Sequence, residues 1–287
     1  MLSIVVLACY LACAAWLASS AYRAQDTVPA NAAATISFTP NANNEGLRGR
    51  RVAGLTLAAA AIVLHATLLW GSVFSRPELA LTVAETASLI GWLVGVIALL
   101  LSWRKPRFAG IGAILLVVAG TVAVMTGEGL RSFAVERYSW EITAHIILST
   151  AAYALFTIAA ALAIALALLD RRLRKRQPLG LLAILPSVEA LESGTFQALG
   201  AGFAILTLAL FSGFIFVENL FAQHLIHKTV LSCLAWIVFA ILLFGRWRFG
   251  WRGRTAVRWT LSGFALLVLA YFGSKLVLES ILGRHWG

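Results

Sequence analysis

Apolar residues run through this chain in long blocks separated by polar or charged connections, and that spacing predicts eight membrane-crossing helices. The blocks fall at Leu2–Tyr22, Val52–Phe74, Leu79–Trp103, Phe108–Thr126, Ile142–Leu169, Phe196–Val217, Thr229–Phe244 and Trp259–Leu282. A helix rising ~1.5 Å per residue needs ~20 residues to cross ~30 Å of hydrocarbon. The seventh block is the shortest, with room to begin nearer Leu225. A membrane β-barrel shows short segments of alternating polarity instead, and none occurs here. The expected fold class is all-α: a polytopic membrane protein of about eight transmembrane helices.

Two connections are long. Ala24–Gly49 is rich in Ala, Asn, Thr and Pro without periodicity and reads as a flexible loop. Residues 1–50 are therefore expected to form an N-terminal transmembrane anchor with its loop, and 51–287 the main transmembrane domain. Asp170–Gly194 starts with a basic run, then places Leu185, Val188, Leu191 and Phe196 at rough helical spacing with acids between them. That pattern suggests a short interfacial helix.

Composition supports the membrane reading: 61% of residues are hydrophobic and only 12% charged, far from the range of soluble domains. A net charge of +11 alone would raise nucleic acid as a partner, but its placement argues otherwise. Of 23 basic residues, 17 cluster in four groups: Arg23/Arg48/Arg50/Arg51, Arg104/Lys105/Arg107, Arg171–Arg176 and Arg246–Arg258. These occupy every second loop, while the opposite loops carry six basic and seven acidic residues. The positive-inside rule then puts the basic loops in the cytoplasm and both termini on the outer, periplasmic side of a bacterial inner membrane. The first segment lacks a positive n-region, so it reads as an outward-starting anchor rather than a cleaved signal.

Between two spans, the mixed arginines and aromatics of Gly245–Arg258 form an interfacial belt rather than a stacking platform for single strands. The basic run after Asp170 meets anionic headgroups, making the lipid bilayer the expected partner. Cys9, Cys13 and Cys233 lie inside spans without a CxxC or CxxCH spacing and read as packing residues. No Walker A or GxGxxG sequence is present to bind a nucleotide.

The candidate chemistry lies in the polar groups near the outer end. Histidine is the commonest metal and haem-iron ligand, and an ionisable group at membrane depth is costly and faces a partner. His65 lies about 21 Å from Arg51 along its helix, in the outer half of the second span. Glu85 sits just inside the third. Glu141, His145, Ser149 and Tyr153 follow one another at a spacing of four, which places them on one helix face. His227 and Lys228 precede the seventh span, His224 lies in the loop before it, and His285 follows the eighth, where Lys275 and Glu279 are spaced to pair. Together these groups suggest a shared polar or haem-holding cavity on the outer side. The same groups also suit a transporter or accessory for divalent cations, although no HxxxH spacing makes a metal site specific. A scaffold whose histidines merely mark the membrane boundary is the third reading.

Three stretches resemble a known family. Span two with His65, the run Glu85-x-x-Ser88-Leu89-x-x-Trp92, and His145-Ile-Ile-Leu-Ser149-x-x-x-Tyr153 are similar to the cytochrome c assembly family, membrane haem-handling proteins that include CcsA, CcmC and CcmF. The run from His227 to Phe244, with Gly250-Trp-Arg-Gly253 and Leu269-Ala-Tyr271-Phe-Gly273, resembles its YpjD branch, and the likeness extends from about Leu55 to the C-terminus. In that family two outer histidines flank a tryptophan-rich segment and ligate haem, and CcsA-type members add two histidines within the membrane.

The resemblance implies that His145 matches the first outer histidine, His285 the second, and His65 the first membrane one. Haem would then be the cofactor, its iron held by His145 and His285, with Glu141 or another nearby acceptor orienting one ring. Glu85, Ser149, Tyr153 and His227 would supply the supporting polar groups, and cytochrome c maturation proteins would be the partners. The chain departs from the pattern twice. Phe221-Ala-Gln-His224-Leu-Ile-His227-Lys228 stands where a WGxxWxWD motif belongs, and Phe244 stands where the second membrane histidine belongs.

Overall fold

A computed structural model describes residues 2–26, 42–71, 83–124, 140–216 and 226–273. Its helices are α1 (Leu2–Asp26), α2 (Ala42–Leu69), α3 (Val83–Arg104), α4 (Ala109–Val124), α5 (Trp140–Arg174), α6 (Val188–Phe216), α7 (Ile226–Phe249) and α8 (Gly253–Val268), the last continuing as a π-helical stretch, Leu269–Gly273. Counted with the 3-10 turn Pro106–Phe108 that leads into α4 and the π-helical stretch that ends α8, all eight are long and apolar enough to cross a membrane, as the hydrophobic blocks predict. Each closes its own backbone hydrogen bonds, which hydrocarbon requires of any spanning segment.

The differences lie at the basic end. Residues 42–49, read from sequence as loop, form the first turns of α2. The basic run belongs to the last turn of α5, where Arg171, Arg172 and Arg174 complement the negative end of the helix dipole. The stretch Leu185–Phe196 is no separate interfacial helix, because α6 starts at Val188 and runs unbroken to Phe216. Pro186 blocks an earlier start, and the Ser187 hydroxyl accepts from the Ala190 amide as an N-cap.

α5 is the central helix and packs along α6 and α8, while α1 packs on α4 and α2. It serves two cores. On one side Ala154, Ile158, Leu162 and Ala163 join residues of α1 to α4. On the other, Ala152, Phe156 and Ala159 join α6, α7 and α8. In lipid there is no hydrophobic drive between helices, so small residues that allow close approach carry much of the packing. At the α1–α4 crossing, a Cβ on Gly120 would lie 2.7 Å from Tyr10 Cβ. At the α7–α8 crossing, one on Gly263 would lie 2.6 Å from the ring of Phe239, which stacks on Phe156 with centroids 4.1 Å apart. Gly263→Leu should therefore destabilise the detergent-purified protein by about 2 kcal/mol through overpacking, read as a lower Tm. Ala265→Leu, on an exposed face of the same helix, should leave Tm unchanged.

The basic end is tied by charged groups. Arg51 Nη2 donates to the carbonyls of Ser102 at 2.8 Å and Trp103 at 2.6 Å, closing the C-terminus of α3. Glu192 Oε1, almost buried at the start of α6, accepts from Arg246 Nη1 at 2.8 Å and Arg252 Nε at 2.7 Å. Arg246 also donates to the Trp251 carbonyl and lies 4.6 Å over the Phe196 ring. The turn from α7 to α8 passes through Gly250 at φ 66° and Gly253 at φ 54°, a region that favours glycine, and folds Trp251 against Gly245. This clip sets how α6, α7 and α8 stand against one another.

Candidate functional site

At the end opposite the arginines, polar side chains from several helices meet. His145, in the second turn of α5, is half-buried against α6. Its Nδ1 lies 2.9 Å from the Ala209 carbonyl and 3.0 Å from Ser212 Oγ. A carbonyl only accepts, and the Ser212 hydroxyl itself donates to the same Ala209 carbonyl at 2.8 Å. Nδ1 therefore carries the proton, and Nε2 carries the lone pair. Among the described residues, the Nε2 contact is the Ser149 hydroxyl, long at 3.4 Å. Gly213 makes room for this ring: a Cβ there would stand 3.1 Å from His145 Cε1. Above it, Trp140 packs on Phe216 and closes α5 onto α6.

The predicted stripe on α5 does not stay on one line. Each step of four residues turns a helix about 40° past a full turn, so His145 faces α6 while Tyr153, two steps on, faces α8. The Tyr153 hydroxyl donates to the Leu267 carbonyl at 2.6 Å, just before the π-helical stretch. Its ring meets Tyr271 edge-on, and the Tyr271 hydroxyl shares a 2.7 Å hydrogen bond with Thr86 of α3. Lys228 of α7 lies 5.6 Å over the same Tyr271 ring. Tyr271 thus joins α3, α5, α7 and α8 at this end. A single-turn π segment is a frequent mark of a functional position.

His65 is placed differently. It is fully buried, with Nδ1 3.2 Å from the Tyr10 hydroxyl and Nε2 2.8 Å from Ser88 Oγ. One turn beyond Ser88, Trp92 Nε1 donates to the Ile62 carbonyl at 3.1 Å. Ser88 and Trp92, four apart, therefore grip α2 from one face of α3. Both ring nitrogens of His65 are engaged by the protein. Glu85 is buried one turn earlier on α3, next to Thr86.

Glu141 is half-buried at the mouth of α5, and His227 is exposed at the start of α7. His224, His285, Lys275 and Glu279 lie outside the described residues. Among the described residues, no three or more His, Cys, Asp and Glu side chains gather to hold a metal ion.

Sequence reasoning missed Tyr10, Ser212, Gly213 and Thr86. Each is unremarkable in its own span, and only its depth, matched against the polar group on a neighbouring helix, would have singled it out.

Comparison with known proteins agrees with the haem-handling likeness. The family model for "Cytochrome C assembly protein" matches residues 131–282, a stretch that contains His145 and His227 but not His65, Glu85 or His285. The inner membrane protein YpjD of Escherichia coli K12 is 31% identical over 241 residues, covering 81% of this chain and 89% of that protein. An uncharacterized 28.8 kDa protein of Azospirillum brasilense is 38% identical over 141 residues, covering 48% of this chain and 52% of its own length. The cytochrome c biogenesis protein CcsA of Microcystis aeruginosa is 26% identical over 100 residues, covering 34% and 30% respectively. No solved structure matches the chain.

Proposed function

The chain belongs to the cytochrome c assembly protein family and is a multi-pass inner-membrane protein, and from that premise we propose that it binds haem at the outer end of α5 and α6 with His145 Nε2 as an iron ligand. Family membership supports a haem-handling role in general terms. The observation that carries the finer reading is the state of one ring. His145 Nδ1–H is held by the Ala209 carbonyl and Ser212, the usual way a ligating histidine is oriented, and this leaves Nε2 with its lone pair.

Haem bound there would supply a redox-active iron centre, and His145 together with His285 would be the residues that hold it. The Ser149 hydroxyl is the group a ligand would displace from Nε2, at the cost of one long hydrogen bond. His65 enters only if Tyr10 or Ser88 lets go of its ring, so its first task is to hold α1, α2 and α3 together at this depth. The chain's work would be to bind, orient and pass on haem to cytochrome c maturation partners, and no bond-making step is assigned to its side chains. A divalent-cation carrier would need several carboxylates or imidazoles converging on one point, and no such group occurs among the described residues.

The test is the absorption spectrum of detergent-purified protein made with haem supplied. A Soret band with a sharp α-band on reduction supports the proposal, and no Soret band at all defeats it. We also place the basic end in the cytoplasm. A reporter fused after Arg176 should be active only there, and periplasmic activity would reverse the site's orientation.

A further inference from the structure

A second site lies at the opposite end of the molecule. Between the end of α5 and the starts of α6 and α8 is a cavity of about 450 Å³. Leu166 and Ala167 of α5, Val188 of α6 and Val257 of α8 line its apolar part. Its rim carries Arg171 and Arg174 from the end of α5, Lys175 from the turn just after it, and Arg254 and Arg258 from the first turns of α8. The acid on this rim is Asp170, which Arg174 Nε already engages through both carboxylate oxygens at 2.9 Å. Among the described residues, Arg171, Lys175, Arg254 and Arg258 have no carboxylate partner. Five cations and one neutralised acid around a concave surface repel one another unless an anion joins them. The amino end of α8 adds to this, since Gly253 borders the cavity and no side chain caps that terminus.

We propose that this cavity binds an anionic phospholipid of the leaflet on the basic side, its phosphate held by Arg171, Arg254 and Arg258 and an acyl chain lying along Leu166 and Val257. A free phosphate offers the same anionic chemistry to the arginines, but it would leave the apolar part of the cavity unfilled. The lipid satisfies both parts, and basic pockets between transmembrane helices at this depth are suited to phospholipid headgroups. Because the two arms of the rim come from α5 and α8, a bound lipid would brace the same helices that meet through Tyr153 and Leu267 at the other end.

The test compares two charge-matched pairs in the full-length protein. R171Q/R258Q removes two rim cations, whereas R172Q/R176Q removes two cations of the Arg171–Arg176 run that do not line the cavity. Native mass spectrometry in delipidating detergent should show phosphatidylglycerol retained by the wild type. Its affinity should fall at least about tenfold in R171Q/R258Q and stay unchanged in R172Q/R176Q. An equal loss in both pairs would mean general surface attraction and would overturn the site.

A measurement on unmodified protein covers the case of a variant that does not fold. In phosphatidylglycerol nanodiscs, acetylation of Lys175 should slow several-fold relative to Lys105, which lies at the same end outside the cavity, and in phosphatidylcholine it should not. Equal slowing at both lysines overturns the proposal. Equal protection of Lys175 by inorganic phosphate in phosphatidylcholine nanodiscs would assign the rim to a soluble anion and exclude the lipid.

Discussion

Changing His145 to Ala should remove most of the Soret absorbance of the purified protein, weakening haem binding by roughly 100-fold, or about 2.7 kcal/mol. The size follows from what is lost. Ala offers no lone pair, and the Ala209 carbonyl and Ser212 hydroxyl that orient the ring cannot reach into its place. Ser212→Ala should cost less, about tenfold or under, because the Ala209 carbonyl still fixes the same ring nitrogen as donor. Ser149→Ala should hold or raise affinity, since it removes only the hydroxyl that competes for Nε2. His145→Met supplies a thioether in place of imidazole and should retain some haem with a raised reduction potential, which separates loss of a ligand from loss of the fold. If His145→Ala keeps a full Soret band and an unchanged α-band, the iron is held elsewhere and the assignment of His145 fails.

Glu192→Ala should lower stability by about 2 kcal/mol, the largest single effect expected at the basic end. Glu192 is 9% exposed and holds two arginines at once, so its loss releases α6 from both α7 and the turn into α8. Removing one partner of a buried pair costs several kcal/mol, because a charge is left without compensation. Here Arg246 and Arg252 are 31% and 62% exposed, and water offsets part of that cost. The check is Tm in detergent alongside the double variant Glu192→Ala/Arg246→Ala, which should recover part of the loss because the more buried arginine is gone. A Tm for Glu192→Ala equal to that of the wild type would show that the clip carries no stability. Haem binding at the far end should change little in this variant, so the two predictions fail independently.

Each of the eight helices was legible in the chain because a hydrophobic run is its own signal, although α2, α6 and α8 begin ten, eight and six residues before the runs that mark them. What was not legible was continuity. A Pro followed by Ser187, Glu189 and Glu192 reads equally as the start of a short surface helix or of a spanning one. The difference is settled by Arg246 and Arg252, which lie 54 and 60 residues further along and neutralise Glu192 where it enters the bundle. Likewise the residues 42–49 contain no apolar run, so nothing local marks them as helix. The spacing of Glu141, His145, Ser149 and Tyr153 was read correctly as helical, but four residues are more than one turn. The stripe therefore divides between α6 and α8.

The sequence by itself determined that this is a membrane protein of eight helices, which end is basic, and which family its polar residues resemble. Those are local or summed properties: each helix satisfies its own backbone in lipid, and charge counts need no contacts. Only the tertiary structure decided what His65 and His145 can do. His65 has both nitrogens held by hydroxyls from α1 and α3. His145 has one nitrogen held and the other carrying its lone pair, because Ala209, 64 residues away, turns its carbonyl toward the ring. A ring nitrogen's availability depends on the hydrogen bond made by its neighbour in the same ring, and that bond comes from another helix.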